Sequence, residues 1–276
     1  MEDRHMEREV TVDGLKIRYL EEGSGTPVIM LHGASLGSSA DVFERHLGPL
    51  ADAGFRAVAY DQPGFGLSDA AEDYTLAYRT RFLPQFMSAI DADEAALVGH
   101  SQAGGIVVQT ALDPPDRVAN VLVVCSGSLL QGLPDFPPPA HASSESTDAP
   151  PTLEDSRKLL ESNLYHKDLI TPEVLEKRHS MSVGRNLETF LERQRVVEPK
   201  REGPRLWERL MEVKPPLLLL YGKQDRNQAA EKCAKLKELM PELRLEIIDK
   251  ACHMLMWDAG EVYDRRAIEF LKENPA

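Results

Sequence analysis

The sequence predicts an α/β protein in which helices cover both faces of a mostly parallel sheet. Short, nearly continuous apolar runs indicate strands buried on both faces, and they lie at residues 28–31, 55–60, 95–98 and 121–124. Segments that can be helical separate these runs, at residues 40–53, 78–90 and 103–112. Strands that alternate with helices are typical of a parallel, doubly wound sheet.

Two antiparallel strands are predicted ahead of this alternation, at residues 9–12 and 15–20. Asp13-Gly14 between them is a strong hairpin signal, and residues 22–25 form a second predicted turn. The core pattern returns near the end of the chain as strand, helix, strand and helix, predicted at residues 217–221, 229–240, 243–248 and 262–272.

The middle third of the chain interrupts this pattern. Residues 133–151 are rich in proline, which cannot continue a central strand and gives a stiff, irregular segment. Four helical stretches without a convincing strand follow it, at residues 153–164, 172–182, 187–197 and 206–211. We therefore predict a core formed by residues 1–131 and 213–276, and a helical cap at residues 132–212. Such an insertion usually covers an active site at the carboxyl ends of the strands.

Composition and charge exclude several classes of protein. A hydrophobic fraction of 42% and a charged fraction of 28% are ordinary for a globular protein and exclude a fibrous or disordered chain. The 32 basic and 45 acidic residues give a net charge of −13, which repels phosphate backbones and anionic lipids. We expect neither nucleic acid nor a membrane as a partner, and a small-molecule substrate instead. A homo-oligomer stays open.

Cofactor, metal and targeting signals are missing from the sequence. Cys125, Cys233 and Cys252 have neither metal-ligand nor disulfide spacing, which favours a reducing compartment, and Cys252 beside the histidine is interpreted as a small packing residue. There is no glycine-rich phosphate loop with its lysine, and the charged residues 1–8 lack the apolar segment of a signal peptide. The sequence predicts a cytoplasmic protein without cofactor or metal.

The most specific motif is Gly99-His100-Ser101-Gln102-Ala103, between a buried strand and a helix. This is the pattern of a nucleophile elbow, a turn so sharp that small residues must flank the serine. Ala103 stands where the usual motif has glycine, and Gly104-Gly105 keeps the start of the helix close to the sheet. Serine is a poor nucleophile at neutral pH, so the motif requires a histidine base and an acid that orients it.

Both partners are predicted at the ends of late strands. Asp225 follows the strand at 217–221, and His253 follows the strand at 243–248. The order serine, acid, histidine is the chain order of this kind of triad. We assign Ser101 as the nucleophile, His253 as the general base and then acid, and Asp225 as its orienting carboxylate.

Acyl chemistry also needs donors for a developing oxyanion. The strand at 28–31 ends in a His32-Gly33 turn that can aim a backbone N–H at the serine, so we assign the amides of Ala34 and Gln102 as oxyanion donors. His32 is interpreted as a residue that organises the loop. His100 either contacts substrate or packs beside the sheet.

With these residues placed, the sequence resembles the α/β-hydrolase superfamily over nearly its whole length. The resemblance implies an eight-stranded sheet with a helical cap after the sixth strand. It rests on five segments taken together, which are Leu31-His32-Gly33, Asp61-Gln62-Pro63-Gly64-Phe65-Gly66-Leu67-Ser68-Asp69, Gly99 to Gly105, Tyr221-Gly222-Lys223-Gln224-Asp225 and Cys252-His253.

Within that superfamily, the segments at 48–56, 61–66 and 168–178 resemble the carbon–carbon bond hydrolases of aromatic meta-cleavage pathways. The resemblance implies that a cap arginine binds the carboxylate of a 2-hydroxy-6-oxo-dienoate. Arg178 matches that arginine, Arg185 is a rival, and a guanidinium grips a carboxylate through two charge-assisted hydrogen bonds.

Two positions depart from the subfamily, which usually has asparagine before the nucleophile and tryptophan after the histidine. This chain has His100 and Met254 there, and Trp257 lies three residues further on. We expect His100, Met254 and Ser35 to line the substrate site beside Arg178.

The preferred interpretation is a serine hydrolase of a small carbonyl compound, of the meta-cleavage-product type. A carboxylesterase or lactonase with the same triad is the first alternative. A cofactor-free oxygenase or peroxidase, or a ligand binder without catalysis, is the second, because one fold supports several functions.

Overall fold

The computed structural model describes residues 5–113, 115–136, 149–197 and 203–275. The described residues form one eight-stranded sheet in the order β1-β2-β4-β3-β5-β6-β7-β8. Its strands are β1 Met6–Val12, β2 Leu15–Gly23, β3 Thr26–Leu31, β4 Phe55–Tyr60, β5 Ala95–His100, β6 Val118–Val124, β7 Leu217–Gly222 and β8 Leu245–Ile248. β1 and β2 are antiparallel, whereas β4-β3-β5-β6-β7-β8 pair in parallel, which confirms the predicted fold class.

Helices cover both faces of the sheet. The α-helices of the described residues are α1 Glu44–Asp52, α2 Leu76–Ala89, α3 Ala103–Leu112, α4 Leu153–Asn163, α5 Pro172–Ser180, α6 Arg185–Arg195, α7 Ala229–Leu239, α8 Leu255–Asp258 and α9 Gly260–Glu273. α2, α3 and α7 contribute to one hydrophobic cluster, and α1 and α9 contribute to the other. No helix of the described residues is long and apolar enough to cross a membrane.

Successive side chains of a strand point to opposite faces of the sheet, so one strand contributes to both hydrophobic clusters. In β3, Ile29 and Leu31 belong to the cluster under α2 and α3, whereas Val28 and Met30 belong to the cluster under α1 and α9. All four side chains are fully buried, and each contributes about 1.5–3 kcal/mol through removal of apolar surface from water. A continuous apolar run therefore suits this central strand.

The register brings the ends of the central strands to one edge of the sheet. Leu31 pairs with Gly99, His100 pairs with Val124, and Val124 pairs with Leu220. Loops that follow β3, β5, β6 and β7 consequently emerge side by side. This edge is where the sequence places the candidate catalytic residues.

The helices α4, α5 and α6 lie between β6 and β7 in the chain and pack onto that edge. Leu160, Leu164 and Leu175 extend the hydrophobic cluster under α1 and α9. Lys177 of α5 forms ion pairs with Glu44 at 2.6 Å and with Asp41 at 3.2 Å.

Two further segments join these helices to the sheet. In α6, Thr189 Oγ1 and Arg193 Nη1 both donate hydrogen bonds to the carbonyl of Gly64, at 2.9 and 2.6 Å. After α4, the amides of Tyr165 and His166 donate to the carboxylate of Asp258, at 2.8–2.9 Å.

Several element boundaries differ from the predicted ones for local reasons. β1 begins at Met6, three residues early, and β2 continues to Gly23 into the predicted turn, because it pairs with β4 up to Arg56. The helix predicted at 78–90 begins at Leu76, since the Thr75 side chain accepts a hydrogen bond from the Tyr78 amide and caps it.

Other differences concern helix type and extent. Residues 40–43 and 206–212 form 3₁₀ rather than α-helix, and the four-residue α8 was not predicted. Of the Pro-rich segment at 133–151, residues 137–148 lie outside the described residues.

Candidate active site

Ser101 lies directly between β5 and α3, in the left-handed backbone region at φ +57°. Its amide donates to the Val124 carbonyl at 2.9 Å, which fastens the turn to the neighbouring strand β6. A Cβ on Gly99 would lie 2.5 Å from the Ala103 carbonyl oxygen, and a Cβ on Gly104 would lie 2.5 Å from the Cβ of Ser126. The crowding explains why the sequence has glycine on both sides of this turn.

The side chains of Ser101, His253 and Asp225 form a continuous hydrogen-bonded series. Ser101 Oγ lies 2.9 Å from His253 Nε2, and His253 Nδ1 lies 3.0 Å from Asp225 Oδ1. Because an ionised carboxylate only accepts hydrogen bonds, His253 Nδ1 carries the proton and Nε2 accepts from the serine hydroxyl. This tautomer is the one that a general base for Ser101 requires.

Asp225 and His253 are fixed by the ends of β7 and β8. The Asp225 amide donates to the Gly222 carbonyl at 3.2 Å, and Asp225 Oδ1 also accepts from the Arg226 amide at 2.7 Å. The two side chains are 4% and 9% exposed, so their mutual hydrogen bond is shielded from water. A shielded pair is held in one orientation more firmly than an exposed one.

His100 hydrogen-bonds to the backbone of His253. Its Nε2 lies 2.9 Å from the His253 carbonyl oxygen, so Nε2 carries the proton and donates. Burial lowers the pKa of His100 well below 6.5, which keeps the ring neutral. His100 also lines the small cavity together with His253 and Arg178, and its contact with substrate stays a prediction.

The candidate oxyanion donors lie beside the serine. A Cβ on Gly33 would be 2.8 Å from Ser101 Cβ, so the turn after β3 passes directly against the nucleophile. Among the backbone hydrogen bonds of the described residues, none uses the amides of Ala34 or Gln102 as donor. Two amides beside Ser101 that donate to no backbone carbonyl of the described residues can stabilise a negative oxygen that develops there.

His32 organises the turn that carries Ala34. The Gln62 amide donates to His32 Nε2 at 3.1 Å, so the proton lies on Nδ1, which donates to the Gly33 carbonyl at 2.7 Å. Burial lowers the pKa of His32 to about 3, and the ring stays neutral at physiological pH.

Two adjoining cavities lie between the sheet edge and the helices α4 and α5. The smaller one is about 20 Å³, enough for about one water molecule, and is lined by residues that include His32, Gly33, His100 and His253. The larger one is about 630 Å³ and is lined by α1, α5 and Trp257 among others. Their shared lining residues are Val42, Leu160, Arg178 and Met254.

Arg178 reaches into this shared wall from α5. Its Nη2 donates to Ser35 Oγ at 2.8 Å, while its Nε is shut off from solvent and has no hydrogen-bond partner among the described residues. Burial lowers the pKa of Arg178 to about 10, and no described acidic side chain offsets that effect. Ser35 follows Ala34, so the guanidinium lies next to the turn that carries a candidate oxyanion donor.

Arg185 lies elsewhere, although it follows Arg178 by only seven residues. It is exposed, with Nη2 at 3.3 Å from the Gly66 carbonyl oxygen and Nη1 at 3.9 Å from the Asp69 carboxylate. It lines neither of the two cavities. Of the two arginines considered, Arg178 is the one that lines the small cavity beside His253.

Met254 lies in the wall shared by the two cavities and is 6% exposed. Its amide donates to the Asn163 carbonyl at 2.9 Å, which connects the residue after the histidine to the end of α4. Trp257 lines the larger cavity, and its Nε1 donates to the Val42 carbonyl at 2.8 Å. The tryptophan therefore lies near the site without occupying the position of Met254.

Sequence reasoning missed two polar residues behind the oxyanion donors, Gln62 and Arg79. Arg79 is 3% exposed and donates to the side-chain oxygens of Gln62 and Gln102. Gln62 belongs to the Asp61-Gln62-Pro63-Gly64 segment that was recognised as a motif, but its partners are distant in sequence. Nothing local marks Arg79, which occupies an ordinary helical position.

The chain is similar to known proteins along nearly its whole length. A family model described as "alpha/beta hydrolase fold" matches residues 26–260. The chain is 30% identical over 269 residues to the "2-hydroxy-6-oxo-6-phenylhexa-2,4-dienoate hydrolase" of Comamonas testosteroni, covering 93% of this chain and 91% of the relative. It is 29% identical to the "2-hydroxy-6-oxononadienedioate/2-hydroxy-6-oxononatrienedioate hydrolase" of Burkholderia vietnamiensis, covering 95% and 94%.

A solved structure agrees on the fold. A meta-cleavage product hydrolase from Pseudomonas fluorescens IP01 superposes with a TM-score of 0.81 at 23% identity, over 97% of this chain and 98% of that one. Since the family model covers most of the sequence and the curated relatives align along nearly all of it, the chain is a hydrolase that belongs to the α/β-hydrolase family.

Proposed function

We propose that this chain hydrolyses a carbon–carbon bond in a 2-hydroxy-6-oxo-dienoate, with Ser101, His253 and Asp225 as its catalytic residues. One observation carries the substrate class: the half-buried guanidinium of Arg178, whose Nε is shut off from solvent without a hydrogen-bond partner among the described residues, lines the small cavity beside His253. A cation that is partly removed from water without an acidic partner is destabilising, and a ligand that supplies a negative charge offsets this cost. The two relatives named above supply the same class, since each is a hydrolase of a dienoate.

The proposed reaction consumes one water molecule. After a proton moves from the 2-hydroxyl to C5, the C6 ketone is the electrophile. Ser101 Oγ attacks C6 and passes its proton to His253 Nε2, and the new oxyanion receives hydrogen bonds from the amides of Ala34 and Gln102. Collapse breaks the C5–C6 bond, and the electron pair spreads through the unsaturated acid.

Two steps complete the cycle. The unsaturated leaving group takes the proton from His253 and departs as a 2-hydroxydienoate. Water, deprotonated by His253, then releases the carboxylic acid from Ser101. In a direct variant of the same chemistry, water takes the place of the serine oxygen at C6. In both variants, Arg178 binds the substrate carboxylate and Ser35 holds the guanidinium.

Other parts of the site complete the proposal. Core residues 1–131 and 213–276 carry the catalytic groups, and the cap at 132–212 supplies Arg178. His100 and Met254 line the substrate site. The three cysteines are free and buried, which supports a reducing compartment such as the cytoplasm for the proposed enzyme. Gel filtration tests whether the enzyme is a homo-oligomer.

The decisive experiment compares two substrates. We expect a 2-hydroxy-6-oxo-6-phenylhexa-2,4-dienoate to lose its visible absorbance on reaction with the parent protein, with release of benzoate. p-Nitrophenyl esters are expected to react more slowly. Fast ester hydrolysis with an untouched dienoate would assign the chain as a carboxylesterase or lactonase instead.

Arg178→Met tests the carboxylate site, with Arg185→Met as a matched loss of charge in the same part of the chain. We expect Arg178→Met to raise KM for the dienoate about tenfold to hundredfold, the value of a charge-assisted pair. Its activity on a neutral ester should stay within about threefold of the parent, as should both activities of Arg185→Met. Equal losses on both substrates would show that Arg178 supports cap folding instead.

Triad variants test the catalytic roles. Ser101→Ala and His253→Ala are each expected to lower kcat by about three to six orders of magnitude, and Asp225→Asn somewhat less. A fluorophosphonate should label the parent and leave Ser101→Ala unlabelled. An unlabelled parent would favour a ligand binder, and oxygen consumption without added metal would favour an oxygenase.

A further inference from the structure

The two candidate oxyanion donors, the amides of Gln102 and Ala34, belong to different loops. In each case the carbonyl of the same peptide group accepts a hydrogen bond. The Ser101 carbonyl accepts from the Gly104 amide at 3.1 Å, and the Gly33 carbonyl accepts from His32 Nδ1 at 2.7 Å. A trans peptide is planar, so its N–H points opposite to its carbonyl. Holding these two carbonyls therefore sets the directions of the Gln102 and Ala34 amides.

One guanidinium lies behind both loops. Arg79 Nη1 donates to Gln102 Oε1 at 2.5 Å, while Nη2 and Nε donate to Gln62 Oε1 at 2.6 and 3.1 Å. Arg79 is a residue of α2 and is 3% exposed, so these hydrogen bonds form away from water. Charge-assisted hydrogen bonds are shorter and stronger than neutral ones, and the planar fork of arginine fixes two acceptors in one geometry.

Gln62, which accepts from Arg79, also hydrogen-bonds to His32 in the turn after β3. Its Nε2 donates to the His32 carbonyl at 2.6 Å, and its backbone amide donates to His32 Nε2 at 3.1 Å. His32 in turn holds the Gly33 carbonyl. The series from Arg79 through Gln62 and His32 to Gly33 thus ends on the peptide that presents the Ala34 amide.

We propose that Arg79 is a positioning residue of the oxyanion hole. It holds the loop that carries Gln102 directly and the turn that carries Ala34 through Gln62 and His32, so one side chain sets the spacing of the two donors. The proposal rests on the Ser101 chemistry proposed above and is independent of the identity of the natural substrate.

This role predicts a loss that appears in the rate rather than in substrate binding. Removing one oxyanion donor typically lowers kcat by a factor of 10² to 10³, and a donor that is merely less well placed loses a smaller part of that effect. We expect Arg79→Met to lower kcat about tenfold to hundredfold with KM within about threefold of the parent. An inhibitor that forms a charged tetrahedral adduct should lose affinity in parallel.

The experiment uses p-nitrophenyl acetate for kcat and KM, and a trifluoromethyl ketone for adduct affinity. Arg193→Met is the matched control, because Arg193 also lies over the Phe65 ring but hydrogen-bonds to Gly64 and Thr189 and, among the described residues, to neither glutamine. Its kcat and ketone affinity should stay within about threefold of the parent. Equal effects in the two variants would overturn the proposal.

A second variant covers the case in which Arg79→Met does not fold. Gln102→Met keeps the backbone amide and removes only the side chain that Arg79 holds. It should lower kcat and ketone affinity with unchanged KM. If Arg79→Met folds, the double variant should lose less than the sum of the two single losses, because the Arg79–Gln102 hydrogen bond is removed in both. Parent-like kinetics of Gln102→Met, or full additivity, would overturn the proposal.

Fluorophosphonate labelling separates this proposal from the proposed function. A parent that is not labelled at Ser101 would remove the serine chemistry itself. A labelled parent with equally fast labelling of Arg79→Met would refute the positioning role alone. A labelled parent with labelling of Arg79→Met slowed tenfold or more would support both.

Discussion

His32 shows how a single buried ring ties the stability of this protein to pH. Its pKa, lowered to about 3 by burial, lies below the ordinary value of 6.5 that it regains on unfolding. Between these values the unfolded chain binds a proton that the folded chain does not. The stabilisation from a neutral His32 is therefore present above about pH 6.5 and is lost as the pH falls towards 3.

We predict the size of this effect from a comparison with His32→Asn. Asparagine can donate to the Gly33 carbonyl but does not titrate. The parent's advantage in unfolding free energy over His32→Asn should be about 2 kcal/mol smaller at pH 5 than at pH 7, since one pKa unit corresponds to about 1.4 kcal/mol. Urea unfolding at both pH values measures it. A constant difference would show that burial of His32 does not set this pH dependence.

Ser101, Asp225 and His253, which the sequence selected from local signals, lie together in the structure. Ser101 sits in a five-residue motif, and Asp225 and His253 follow predictable strands, so all three could be selected without a structure. Arg79 could not, because its partners Gln62 and Gln102 meet it only after folding. The choice between Arg178 and Arg185 likewise depends on a tertiary contact, the one with Ser35.

At the level of elements, the end of α5 packs so closely against Gly37 that a side chain there would collide with it. A Cβ on Gly37 would lie 2.3 Å from Ser182 Oγ and 2.7 Å from the Arg178 carbonyl oxygen, and the residue has φ +76°. A side chain at this position would push α5 away from the sheet edge. The position of Arg178 thus depends on Gly37, which follows β3, as well as on its own helix.

We predict that Gly37→Ala raises KM for carboxylated substrates several-fold. Gly14→Ala is the matched control, since Gly14 has φ +77° and nothing within 4 Å of an added Cβ. Both variants should lose about 1–2 kcal/mol of stability from the left-handed backbone, but only Gly37→Ala should change KM. Kinetics with a dienoate and a neutral ester, together with urea unfolding, check this. Unchanged KM in Gly37→Ala would show that the cap helix absorbs the added methyl group.

Helices with clear local boundary signals could be predicted, whereas short helices that depend on tertiary packing could not. The helix α3, Ala103–Leu112, was predicted at its observed bounds because a turn and Asp113-Pro114 delimit it. The helix α8, Leu255–Asp258, spans about one turn and is too short to show helical periodicity. It forms where the chain returns from His253 to α9.

At the level of the whole molecule, the net charge of −13 opposes the approach of an anion. Arg178 acts only at short range, so the field of the remaining charges governs the encounter. We predict that kcat/KM for an anionic dienoate rises about twofold to threefold between 10 and 150 mM salt, because screening shortens to about 8 Å. A neutral ester should show no such rise, and stopped-flow kinetics compares the two. An equal salt response of both substrates would contradict the electrostatic explanation.

The left-handed backbone of Ser101 implies a trade-off between the stability of the fold and the proposed reactivity. A residue with a Cβ is disfavoured at φ +57°, whereas glycine adopts this conformation freely. Glycine would therefore make the folded state more stable at this position, whereas the proposed reaction requires the hydroxyl of serine. If Ser101 is the nucleophile proposed above, this turn holds a destabilising residue because the reaction requires its hydroxyl, and selection for thermal stability alone would tend to replace it with glycine.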